Sequence, residues 1–159
     1  MKIEYTPIGK IHSPYKSIAE MPIQPAGAIG VKGTIIIFPE YSSGLKDLDG
    51  FSHIFLLYHF HGVKDWQPLV VPFMGKEQHG LFATRTPRRP NPIGISVVHL
   101  LSINNNILNI ENVDILDGTP LLDIKPYVPE FDQYKAESIG WLKEEKGRVN
   151  YQKSDERFT

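Results

Sequence analysis

The chain has 159 residues, 41% hydrophobic and 22% charged, a balance that predicts one globular domain with an ordinary core and excludes disorder. It contains no cysteine, which excludes disulfides, thiolate nucleophiles and zinc–thiolate sites. The 17 basic and 18 acidic side chains give a net charge of −1, so no global basic field attracts nucleic acid and any such contact must be local.

The N-terminal MKIEYTPIGK lacks the apolar segment of a signal sequence, and no apolar run reaches membrane length. A soluble, cytoplasmic protein without membrane contact is expected. In chain order, alternating or β-branched runs predict strands at residues 8–12, 33–38, 52–60, 69–71, 81–84, 93–101, 107–113 and 121–127. The 13 prolines and 13 glycines are spread along the chain and leave room only for short helices, at 41–48 and 133–142. Ile35 to Ile37 and Ile54 to Leu57 are apolar at every position, which predicts a barrel interior plus a second buried surface against a loop, a helix or another subunit. The fold class is therefore mainly β: a small single-sheeted barrel over residues 1–143, followed by a charged, loosely held tail at 144–159.

Four stretches carry candidate chemistry. In MPIQPAG, Pro22 and Pro25 bracket Ile23 and Gln24 in an extended segment, and Gln24 offers the donor and acceptor that an adenine edge requires. In FSHIFLLYHFHG, His53, His59 and His61 share strand parity with Phe55 and Leu57. His59 and His61 could bind a metal completed by Asp47 or Asp114, although a buried, hydrogen-bonded histidine is the commoner outcome for such a residue. The run from Gly80 to Gly94 holds Arg85, Arg88 and Arg89 on a loop that Pro90 and Pro92 stiffen. Guanidinium forks suit phosphates and carboxylates and stack on bases; a solvated turn is the plain alternative. The stretch 112–129 places Asp114, Asp117 and Asp123 around the turn Asp117-Gly118-Thr119-Pro120. Asp117 reads as a turn cap, whereas Asp114 lies at an apolar strand end, where a carboxylate needs a partner, and is the better candidate proton acceptor. Asn104 to Asn106 predict a hairpin turn. Gly27, Gly30 and Gly33 do not form G-x-G-x-x-G, and no Walker-type phosphate loop occurs.

Together, IGKIHSPYK, LKDLDGFSHIFLLYHFH, GLFATRTPRRPNPIGIS and ILDGTPLLDIKPYVP resemble the TsaA-like (TrmO) family of S-adenosylmethionine-dependent tRNA methyltransferases, from about Ile8 to Pro129. The resemblance implies a small β-barrel homodimer that methylates the exocyclic amine of N6-threonylcarbamoyladenosine beside the tRNA anticodon. Carried over by position, S-adenosyl-L-methionine contacts fall on Ile23, Gln24, Pro25, His61, Gly62, Arg85, Ile95, Asn112, Val113, Asp114 and Ile115. Arg85 is then expected to hold a carboxylate, Asp114 to take the proton, and Arg88 and Arg89 to contact tRNA; no metal is expected. Longer bacterial members carry a further C-terminal domain, so fewer tRNA contacts, or contacts shared across a dimer, are expected here. Two other classes stay open: a metal-dependent barrel enzyme built on His59 and His61, and a module that binds cofactor or tRNA without catalysis.

Overall fold

Period-two alternation of apolar and polar side chains predicts strands with one face inward, and a computed structural model shows six of them closing on themselves. The structure describes residues 1–19, 21–145 and 153. The strands are β1 (Gly9–His12), β2 (Lys32–Ile37), β3 (His53–His59), β4 (Leu69–Val70), β5 (His79–Gly80), β6 (Ile93–Asn104), β7 (Ile107–Glu111) and β8 (Thr119–Pro126). The barrel runs β1-β2-β7-β6-β3-β8, with β8 returning to β1 through Gly9 opposite Leu121. All its pairings are antiparallel, and β4 and β5 form a separate two-stranded ribbon. Closure leaves the barrel itself no free sheet edge.

Alternate residues fill the interior. Ile11, Ile35, Ile54, Leu56, Val98, Leu108, Ile110 and Leu121 are fully buried in one cluster. On β3 the even positions Ile54, Leu56 and Tyr58 point inward and the odd positions are half-buried outside. There Phe55 meets Tyr127 edge-on at 5.5 Å. The expected second buried surface is thus partial, because on β2 the outward Ile36 remains exposed opposite an exposed Ile107.

Several expected elements differ. Residues 81–84 are not a strand but a 3-10 turn, Leu81–Ala83. Both the amide and the hydroxyl of Thr84 bond back to the Leu81 carbonyl, at 3.0 and 2.8 Å, and curl the chain. The expected helix at 41–48 is two 3-10 segments, Pro39–Leu45 and Leu48–Gly50, separated by Asp47 at φ 66°. The expected helix at 133–142 is absent. A single α-helical turn, α1 (Pro129–Asp132), starts at Pro129 with Asp132 accepting from the Val128 amide, and a 3-10 segment spans Gly140–Glu145. The strand at 107–113 stops at Glu111 because Asn112 takes φ 66°. The Asn104–Asn106 hairpin forms as expected, with Asn105 at φ 55°. Of the expected tail, Glu144 and Glu145 close that 3-10 segment, Lys153 bridges to Pro22, and residues 146–152 and 154–159 lie outside the described residues.

Candidate functional site: a cavity at the barrel rim

The arginine loop takes its shape from the residues around each arginine. Thr84 and Thr86 are buried and their hydroxyls meet at 3.0 Å, so Arg85 between them faces the opposite way, outward. Arg89 turns back: its Nη1 donates to the carbonyls of Thr84 (3.0 Å) and Thr86 (3.4 Å), and its guanidinium lies 5.7 Å from the Phe82 ring centroid. Arg89 therefore braces the loop as well as bordering the space in front of it. Pro92 accepts a bond from the Phe60 amide at 2.8 Å, which fastens the end of the loop beside His61 and Gly62.

A cavity of about 740 Å³ opens at this rim. That volume lies in the range of cofactor and small-ligand sites. Among the residues expected to contact a cofactor, Ile23, Gln24, His61, Gly62, Arg85, Ile95, Asp114 and Ile115 line it. Pro25, Asn112 and Val113 do not. Pro25 starts a 3-10 turn after the extended Gln24. Val113 is fully buried in the barrel core, and the Asn112 side chain accepts from the Gly30 amide at 3.0 Å. These two fix the turn that delivers Asp114 and Ile115, and Ser13 Oγ holds the Ile115 carbonyl at 2.6 Å. Arg88 does not border the cavity, and Arg89 does.

Arg85 Nη1 donates to Gln24 Oε1 at 3.0 Å, joining two segments 61 residues apart at one side of the cavity. Asp114 is 8% exposed and receives a 2.7 Å bond from Ser96 Oγ. Ser96 Oγ also lies 3.0 Å from Tyr58 Oη. The serine has a single proton and gives it to the carboxylate, so Tyr58 donates to Ser96, and the chain of bonds runs Tyr58 to Ser96 to Asp114. Burial raises Asp114 to about 6, against the lowering effects of the Ser96 bond and the Arg85 charge. Burial likewise holds the Tyr58 phenol in its neutral form. A carboxylate poised near neutrality in a cavity is suited to accept a proton. Tyr58 and Ser96 escaped the sequence reading, although the parity of β3 and β6 was the signal: Ser96 is the polar inward residue of an apolar strand.

The histidines separate. β3 ends at His59, so His61 leaves the strand and its predicted alignment fails. His53 faces outside, stacked on His99 at 5.0 Å. His61 lines the cavity with Nδ1 3.3 Å from Thr119 Oγ1, and burial lowers its pKa, keeping it neutral. Thr119 gives its own proton to the Leu116 carbonyl (2.7 Å), so His61 Nδ1 is the donor in that pair. Among the described residues no group of three or more histidine, aspartate and glutamate side chains is placed to hold one metal ion, so the His59–His61 metal site completed by Asp47 or Asp114 does not form. The other two aspartates face elsewhere. Asp117 accepts from Lys16 Nζ (2.6 Å), the Ser13 amide (3.1 Å) and His12 Nδ1 (3.2 Å), and the lysine chiefly lowers it to about 2. It caps the end of β1 and not its own turn. Asp123 pairs with Lys125 at 2.8 Å.

A closed antiparallel barrel with a polar-ended cavity at its rim defines the class, and comparison with known proteins defines the family. The model of the tRNA-methyltransferase O N-terminal domain matches residues 10–133, and the chain belongs to that family. A Pyrococcus abyssi protein named a probable S-adenosyl-L-methionine-binding protein is 56% identical over 158 residues, 99% of this chain and 86% of its own length. An S-adenosyl-L-methionine-binding protein of Archaeoglobus fulgidus is 41% identical over 79% of this chain and 90% of its own. The tRNA (adenine(37)-N6)-methyltransferase of Escherichia coli is 38% identical over 79% of this chain, which spans 58% of that longer protein. The crystal structure of TrmO from Pseudomonas aeruginosa superposes with a TM-score of 0.75 at 36% identity, over 89% of this chain and 63% of that one.

Proposed function

We propose that this protein transfers the methyl group of S-adenosylmethionine to the exocyclic N6 amine of N6-threonylcarbamoyladenosine next to the anticodon of tRNA. The observation that carries the proposal is the convergence of Gln24, His61, Gly62, Arg85, Asp114 and Ile115, from distant parts of the chain, on one cavity. The residues fit such a cofactor. Gln24 offers a donor and an acceptor, Arg85 keeps guanidinium donors beyond the one spent on Gln24 for a carboxylate, and Ile23, Ile95 and Ile115 supply apolar wall.

Bound there, S-adenosylmethionine would supply a methyl carbon on a sulfonium for in-line displacement by the acceptor nitrogen, with a thioether as the leaving group. The cavity walls would position the acceptor nitrogen for in-line attack, an effect worth up to roughly 10 kcal/mol. In N6-threonylcarbamoyladenosine the N6 lone pair is delocalised into a carbonyl, so attack requires loss of the N6 proton. Asp114, ionised above about pH 6, accepts it, with the Ser96 hydroxyl fixing the orientation of the carboxylate. Arg88 and Arg89 would meet tRNA phosphates locally, as the net charge of −1 requires.

Thermal unfolding tests the binding half. Ligand at about 100-fold its dissociation constant adds roughly 2.7 kcal/mol, a clear upward shift in Tm that Arg85→Ala and Gln24→Ala should weaken. Asp114→Asn should keep the shift while turnover falls about 100-fold or more. Unchanged turnover in that variant would remove Asp114 as the base.

A further inference from the structure

The cavity wall includes segments that carry none of the cofactor candidates. Trp141 and Leu142, in the 3-10 segment Gly140–Glu145, border it, as do Phe82 and Ala83 of the turn before the arginine loop. Trp141 is fixed twice. Its Nε1 donates to the Ala83 carbonyl at 2.8 Å, and the His79 imidazole stacks on it with centroids 4.5 Å apart and planes 15° from parallel. Trp141 reaches the cavity and His79 does not, so the imidazole backs the indole from outside. An indole held at its edge and on one face is a flat surface already ordered before any ligand arrives. Phe82, which follows Leu81 in the same turn, is 81% exposed at the rim, and the Arg89 guanidinium steadies its ring.

An exposed phenylalanine and a clamped tryptophan at the mouth of one cavity are costly for solubility and unneeded by the barrel core, which lies elsewhere. Their chemistry matches a purine face. Bases taken out of an RNA stack are received on aromatic rings and guanidinium planes, and a base whose exocyclic amine is to react must leave the stack to be reached. We propose that Trp141 and Phe82 form the subsite for the extruded acceptor nucleobase, with Trp141 as its stacking platform. The proposal rests on the methyl-transfer reading and adds to it the C-terminal segment as a wall of the site within one chain.

The chain has two tryptophans, so Trp66→Phe leaves Trp141 as the sole indole reporter. In that background, S-adenosylhomocysteine is added first and an anticodon stem-loop RNA second, while Trp141 emission is followed. Cofactor binding is measured by calorimetry and RNA binding by anisotropy of labelled RNA. The expected result is little change with S-adenosylhomocysteine and quenching by RNA that tracks the anisotropy curve. Trp141→Ala should raise the KM for the RNA about ten-fold or more with cofactor affinity unchanged, and Trp141→Phe should restore most of the loss. Quenching by S-adenosylhomocysteine with no further change on adding RNA would assign the wall to the cofactor and overturn the proposal. RNA that binds by anisotropy without altering the emission would overturn it too, leaving the methyl-transfer reading intact. Failure to bind either ligand would remove both. The fluorescence arm decides even if Trp141→Ala does not fold.

Discussion

Asp114 is where the opposing forces on one residue are sharpest. Desolvation raises its pKa, while the Ser96 hydroxyl and the Arg85 charge pull it down, and the balance settles at about 6. Tyr58 stands behind Ser96 in the same chain of bonds, and the Tyr15 phenol is raised by burial and by the Asp114 charge. Removing the Ser96 proton from this chain leaves desolvation less opposed. Ser96→Ala should therefore move the acid limb of the pH–rate profile upward by about one unit, because a hydrogen bond to a charged group is worth about that much. The sign follows from the role: a base must be ionised, so activity is lost as pH falls through its pKa, and a higher pKa loses it sooner. An acid limb that stays in place would show that Asp114 is not the titrating group. Residue chemistry of this kind was half legible in the sequence. A lone aspartate in an apolar stretch announced a partnered carboxylate, but its partner Ser96 lies 18 residues earlier, on β6, and only the barrel brings the two together.

At the scale of elements, the glycine of RPNPIGIS has a packing reason. Gly94 sits opposite Tyr58 in the β3–β6 pairing, and a Cβ there would overlap the Tyr58 ring. The bare backbone lets the phenol lie flat across β6 and reach Ser96 two residues on. Gly94→Ala should destabilise the fold by about 1–3 kcal/mol in denaturant unfolding, the usual cost of overpacking a filled interior. It should also lower turnover by displacing the Tyr58–Ser96–Asp114 chain; unchanged stability and turnover would contradict this account of Gly94. The barrel strands were legible from their β-branched and apolar runs, as in β3, although Ile54 to Leu57 is apolar throughout and only the closed barrel separates inward Ile54, Leu56 and Tyr58 from outward His53, Phe55 and Leu57. The 3-10 segments were not. The turn at Leu81–Ala83 is set by a threonine side chain that captures a carbonyl, and the break between Pro39–Leu45 and Leu48–Gly50 by Asp47 at positive φ. Neither choice leaves a periodic trace.

For the whole molecule, function comes from closing a barrel so that loops far apart in sequence share one rim. A net charge of −1 gives the molecule no global basic field, so the proposed recognition of nucleic acid falls to the arginine loop and the aromatic mouth. On that rim Gln24, His61, Arg85 and Asp114 stood out by their own chemistry, and Gly62, Ile95 and Ile115 were implied by the family resemblance. The contribution of Trp141 was not, because nothing in the local sequence GWLKEE says which cavity the segment will cover. The measurement that bears most directly on the central claim is methyl transfer itself. The protein is incubated with S-adenosylmethionine carrying a labelled methyl group and with matched tRNA pools that have or lack N6-threonylcarbamoyladenosine, and the digested nucleosides are separated. The account predicts label on N6 of the threonylcarbamoylated adenosine in the first pool and none in the second. Label on another nucleoside, or no transfer in a protein that binds the cofactor, would contradict it.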